Sequence, residues 1–205
     1  MACFMSRRMW LAATALMLAS GPVAAQAPEP QPPAAPPPTP QARAPLTRSE
    51  AMARLNFLHG VWVGQASGTN PNGTPYAVTQ TERIGPMLGG DVLVIEGRGY
   101  NPDGTTGFNA FAVVSWDQDT DSYEMRSYAM GHAGTFPFTL TDSGYVWEVP
   151  AGPGVMRYRA DITPTTLHEV GDFIMSGQPP RRSFEMTVTR RGDTDWPAAG
   201  AVSPH

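Results

Sequence analysis

Three glutamates stand inside stretches of otherwise apolar alternation and are the side chains best placed to do chemistry: Glu82, Glu96 and Glu169. Successive residues of a β-strand point to opposite faces, so residues two apart share one. Glu82 falls in phase with Val78 and Ile84, and Glu169 with Leu167 and Phe173. Glu96 and Arg98 fall in phase with Val92 and Val94, leaving Leu93 and Ile95 on the other side. Two carboxyls on an apolar face can act as general acid and general base if burial drives their pKa values apart. Alternatively they pair with Arg83, Arg98 or Arg126 on a barrel wall. A mixed Glu/Arg interior equally suits recognition of a polar or amphipathic molecule, with Arg98 or Arg126 as an anion anchor. The candidate ligand-binding set is Glu82, Glu96, Arg98, Arg126 and Glu169, and no residue is assigned a catalytic role.

Other chemistries lack their parts. The sequence has 14 arginines and no lysine, which excludes Schiff-base formation and a phosphate-loop lysine. Its single cysteine is Cys3, and no G-x-S-x-G nucleophile elbow occurs. His59, His132, His168 and His205 are dispersed, without H-x-x-x-H or H-E-x-x-H spacing, so no metal site is expected. Asp117-Gln118-Asp119-Thr120-Asp121 opens like a calcium loop, but Ser122 and Tyr128 occupy the positions that need Gly and Glu. That segment reads as an acidic hairpin. The formal net charge of −4, with no basic stripe between aromatics, argues against a nucleic-acid partner.

The elements that must hold these residues read as hairpins. Thr47-Arg48-Ser49-Glu50 opens one short helix, with Ala51, Met52, Leu55 and Leu58 at helical spacing. Beyond it, runs rich in Val, Thr, Tyr, Phe and Trp alternate with turn clusters such as Asn70-Pro71-Asn72-Gly73 and Asn101-Pro102-Asp103-Gly104. Strands so joined are antiparallel neighbours. About ten are expected, starting near Val61, Tyr76, Val92, Phe108, Ser122, Thr135, Tyr145, Val155, Thr166 and Ser183. Closure removes the edges of so large a sheet, which favours an all-β, antiparallel up-and-down barrel, with a two-sheet sandwich as the alternative. Phe184, Met186 and Val188 share one face, as do Met156, Tyr158, Ala160 and Ile162, and Tyr145, Trp147 and Val149.

The N-terminus reads as an export signal. Arg7 and Arg8 precede the short apolar run 9–19, and Val23-Ala24-Ala25 has signal-peptidase spacing, so cleavage is expected after Ala25. The run is too short to span a bilayer comfortably. Ser6-Arg7-Arg8-Met9-Trp10-Leu11 also resembles a twin-arginine signal, although a general secretory route suffices. Residues 26–45 hold nine prolines and read as an extended tether. The expected organisation is a signal over 1–25, a tether over 26–45, a barrel over 46–191 and a flexible tail over 192–205, in a periplasmic or secreted protein.

Leu55-Asn56-Phe57-Leu58-His59-Gly60-Val61-Trp62 leads a short helix into Gly-x-Trp at the first strand, a pattern that resembles the calycins: lipocalins, fatty-acid-binding proteins and their relatives. The resemblance implies a Trp62 packed at the closed end of a barrel, with Arg190 (or Arg191) of the last strand across it. This role is structural and shared with Gly60. More narrowly, Thr81-Glu82-Arg83, the run from Leu88 to Gly97 and the run from Phe184 to Arg190 resemble an uncharacterised bacterial family of lipocalin-like domains of unknown function, often exported. That likeness spans roughly residues 50–191 and implies a barrel without an activity to transfer. One calycin branch binds haem through a late histidine. His168 and His132 are the candidates, neither in a matching context, so no cofactor is expected. The expected partner is a small hydrophobic or amphipathic molecule held in the interior. A protein-interaction module on the tether, or an enzyme using the barrel carboxyls, are the other readings. Oligomeric state is not legible.

Overall fold

The computed structural model describes residues 44–197. The expected signal segment, the tether up to residue 43 and residues 198–205 of the expected tail lie outside the described residues. The described residues open with a short helix, α1 (Arg48–Ala53), and a 3-10 turn (Asn56–Leu58). Ten strands follow: β1 (Gly60–Thr69), β2 (Pro75–Met87), β3 (Val92–Tyr100), β4 (Thr106–Asp117), β5 (Ser122–Ala129), β6 (His132–Leu140), β7 (Gly144–Ala151), β8 (Gly154–Ile162), β9 (Thr166–Ile174) and β10 (Arg181–Gly192). Each pairs antiparallel with the next, and β10 returns to β1, closing the barrel. The up-and-down barrel is therefore the observed solution, not the sandwich. The largest difference from the strand starts read in the sequence is at β6, expected near Thr135 and beginning at His132.

The hairpins owe their positions to turn chemistry. In the turn from Asn70 to Thr74 the Asn72 carbonyl oxygen accepts from the Thr74 amide at 3.0 Å, and Gly73 takes φ 88°. The turn from Asn101 to Thr105 repeats this with Asp103, Thr105 and Gly104 at 2.9 Å and φ 83°. An Asx side chain that caps its own turn, followed by a glycine free to adopt positive φ, fixes the reversal.

One end of the barrel is plugged. Thr47 and Glu50 form a capping box at the start of α1, which satisfies backbone donors left free at a helix N-terminus. Ala51, Leu55, Leu58 and Trp62 are fully buried there. The Tyr123 hydroxyl donates to the Ala51 carbonyl at 2.6 Å and ties the helix to β5. The Trp62 indole N–H donates to the Leu58 carbonyl at 3.2 Å. Arg190 pairs with Trp62 across the β1–β10 ladder, its guanidinium carbon 5.9 Å from the ring centroid, and donates to the His59 carbonyl at 3.1 Å. Gly60 sits beneath: a Cβ at its φ of 150° would lie 3.0 Å from the Arg190 Nε.

The ladder is uneven. Between β6 and β7 it runs only from Phe138↔Trp147 to Leu140↔Tyr145, leaving the start of β6 and the end of β7 unpaired with each other. Residues 193–197, at the head of the expected tail, lie against the outer wall. Asp195 pairs with Arg83 at 3.3 Å, and the Arg83 guanidinium lies 5.7 Å from the Trp196 ring centroid. Thr194 and Trp196 approach Gly85 so closely that a Cβ there would meet them at 2.8 and 3.0 Å.

Candidate ligand cavity and its buried carboxyls

Above the plugged end the barrel encloses a cavity of about 1160 Å³. Its space comes from small inward residues on one side of the wall, Ala66, Gly97, Ala110 and Ala112 among them. The opposite side is aromatic. Trp147 stacks on Tyr158 with ring centroids 4.4 Å apart, Tyr158 meets Phe184 at 5.9 Å, and Phe136 meets Trp147 at 5.9 Å. The turns carrying Asn70 and Asn101, together with Met130, His132 and Pro150, line the mouth.

Two glutamates project into this space. Glu82 on β2 is 9% exposed and accepts a hydrogen bond from the Gln80 amide at 2.7 Å, with Gln80 itself buried. A Cβ at Gly97 would stand 2.9 Å from the Glu82 Oε1, so the absence of a side chain on β3 makes room for the carboxyl. Glu169 on β9 is 7% exposed and accepts from the Tyr145 hydroxyl of β7. Burial pushes Glu82 up to about 8; the negative charges of Glu169 and Glu96 add to the rise, and the Gln80 hydrogen bond opposes it. Burial likewise pushes Glu169 up to about 7, against the hydrogen bonds of Tyr145 and Trp147. A charge taken out of water without a counter-ion is costly, and retaining a proton relieves that cost. The same burial, with Glu169 nearby, holds Tyr158 at about 12 and Tyr145 well above the usual phenol range.

The remaining expected residues fall elsewhere. Glu96 and Arg98 are on the outer wall, where the Arg98 Nε donates to the Glu96 Oε1 at 2.9 Å. The inward face of β3 is instead Leu93, Ile95, Gly97 and Gly99, whose glycines carry no hydropathic signal. Val94 is buried on the outer side, beside the strip of β2 that Trp196 covers, which made that face read as internal. Arg126 is exposed on the outer wall, its strand neighbour Met125 pointing in. Among the described residues no arginine lines the cavity. His168 also faces outward, its Nε2 3.1 Å from the Glu185 Oε1, and His132 stands exposed at the rim. His168 therefore offers no axial ligand to a haem held inside. The alternation did not single out Gln80, Tyr145 or Tyr158 as polar partners of the glutamates, although all three share the inward phase of their strands.

Among the described residues no helix is long and apolar enough to cross a membrane. No protein-family model matches the chain. No curated protein matches it either. Among solved structures it is similar to the crystal structure of Rv2717c from M. tuberculosis, at a TM-score of 0.53 and 14% identity, over 69% of this chain and 97% of that one. A structure of the S-type phycobiliprotein lyase CPES from Guillardia theta aligns at a TM-score of 0.47 and 10% identity, over 70% of this chain and 93% of the other. At such identity the likeness to Rv2717c bears on architecture alone. The closed ladder and that likeness together make this chain a closed, ten-stranded antiparallel up-and-down barrel of the same architecture as Rv2717c.

Proposed function

We propose that the barrel binds a small hydrophobic or amphipathic molecule in its interior. The observation that carries this reading is the cavity of about 1160 Å³, open at one end and walled by aromatic and small apolar side chains. Ligand sites are concave and mostly apolar, with a few placed polar groups, and typically measure about 300–1,000 Å³. At about 1160 Å³ this cavity stands slightly above that range and shares its character, with Gln80, Glu82, Tyr145 and Glu169 among its polar groups. The export signal and proline-rich tether read in the sequence of residues 1–45 support extending the proposal to a periplasmic or secreted carrier or receptor of such a molecule.

Native mass spectrometry of the mature protein from its own host is the direct test, with N-terminal sequencing of the same sample. The expected result is a reproducible excess mass and a chain beginning at Gln26. In vitro, the neutral dye N-phenyl-1-naphthylamine should brighten on entering the cavity. Ala110→Trp, which fills the wall opposite the aromatic side, should weaken dye binding about tenfold or more while the far-ultraviolet spectrum stays that of a barrel. An unliganded mass together with no dye uptake would overturn the proposal.

A further inference from the structure

The charge that this cavity can develop has one sign. Glu82 and Glu169 lie deep in it, and among the described residues neither has a cationic partner there. Around Glu82 stand Gln80 on its own strand, Gly97 of β3, Tyr145 of β7 and Glu169 of β9. Around Glu169 stand Tyr145 and Trp147 of β7, Tyr158 of β8, and Glu82 of β2. Tyr76 of β2 faces Tyr158. These neighbours are donors or acids, and none is a base; the nearest imidazole lining the space is His132 at the rim. Outside the wall, Glu96 is already matched by Arg98.

A ligand carboxylate would bring a third acid to this pair, and an alcohol would gain only neutral hydrogen bonds. An ammonium supplies the missing counter-charge, and charge-assisted hydrogen bonds are roughly twice as strong as neutral ones. The stacked Trp147 and Tyr158 and the nearby Phe184 line the same space and offer an aromatic wall to the ligand's apolar body. We infer that the cavity takes a cationic amphiphile, a primary or secondary amine on an apolar body, with its ammonium on the Glu82 and Glu169 carboxyls and its body along the aromatic wall. This rests on the barrel being an interior binder and names the class of molecule it binds. Where a glutamic acid holds its proton before binding, the ammonium displaces that proton to solvent, leaving a carboxylate–ammonium pair.

The test is a displacement series against N-phenyl-1-naphthylamine at about pH 8, with dodecylamine, 1-dodecanol and laurate as probes of equal chain length and different head-group charge. Dodecylamine should bind about tenfold or more tightly than dodecanol, and laurate most weakly. The Glu82→Gln/Glu169→Gln double variant should reduce the amine-over-alcohol preference to within about threefold. Calorimetry in buffers of differing ionisation enthalpy should register proton release with the amine and none with the alcohol. An amine no tighter than the alcohol, or a preference that survives the double substitution, overturns the inference while dye uptake still upholds interior binding. If neither the dye nor any of the three chains enters, interior binding falls and the amine inference falls with it.

Discussion

Glu82 makes the folded barrel sensitive to pH in the direction opposite to a salt-bridged carboxylate. Its pKa rises from an ordinary 4.5 to about 8 on folding, and that of Glu169 to about 7. Between the unfolded and folded values the native state holds more protons than the unfolded chain, so stability falls as pH rises across that interval. The contribution is fully present below about pH 4.5 and is lost by the time pH passes about 8. Urea unfolding followed from about pH 5 to about pH 8 should show this decline, of the order of a few kcal/mol, from the two acids together. Glu82→Gln should flatten the profile and be the more stable protein at the alkaline end; an unchanged slope would deny the buried acid its part. At this scale the alternation makes Glu82 and Glu169 legible, because Val78 and Ile84 share the phase of the first and Leu167 that of the second. Glu96 and Arg98 misled for the converse reason: Gly97 and Gly99 silence the inward phase of β3, and Val94 is apolar on a face that the chain itself covers. Arg126 stands out in the sequence by its charge, whereas its phase against Tyr123 and Met125 points outward.

The strands and the plug were legible for a different reason: their boundaries are written in turn and cap chemistry. Two Asn-Pro-Asx-Gly-Thr turns fold with the same hydrogen bonds, and Thr47 with Glu50 starts α1. The Gly-x-Trp entry and Arg190 meet at the plugged end, where the guanidinium both covers the Trp62 ring and satisfies the His59 carbonyl. Arg190→Ala removes a cation–π contact and a hydrogen bond to a carbonyl left half-buried, a loss of about 1–3 kcal/mol in urea unfolding. Because this contact lies at the end opposite the mouth, ligand affinity should stay within about twofold of the unaltered protein, unless the loosened plug reaches the cavity. The start of β6 was less legible because Gly131, Ala133 and Gly134 give no alternation ahead of Thr135.

At the scale of the whole molecule, the cavity could not be read from any one strand. Its volume is what remains when the inward residues of ten strands are summed, and Ala66, Gly97, Ala110 and Ala112 become a wall only once closure sets them opposite Trp147, Tyr158 and Phe184. Closure also bears on self-association, through the short ladder between β6 and β7. A closed barrel has no free rim of backbone donors, yet here two half-strands come free of each other toward the mouth. Such rims recruit neighbouring chains into shared sheets. Each half-strand carries an exposed proline, Pro137 on β6 and Pro150 on β7, and proline has no amide proton to offer an incoming strand. Neither proline offers an amide proton along the breach, which blunts it as a template for edge-to-edge pairing. Pro137→Thr with Pro150→Val restores an amide donor on both half-strands, so sedimentation should register larger assemblies than the unaltered protein forms, and it would do so without touching a residue of the plugged end.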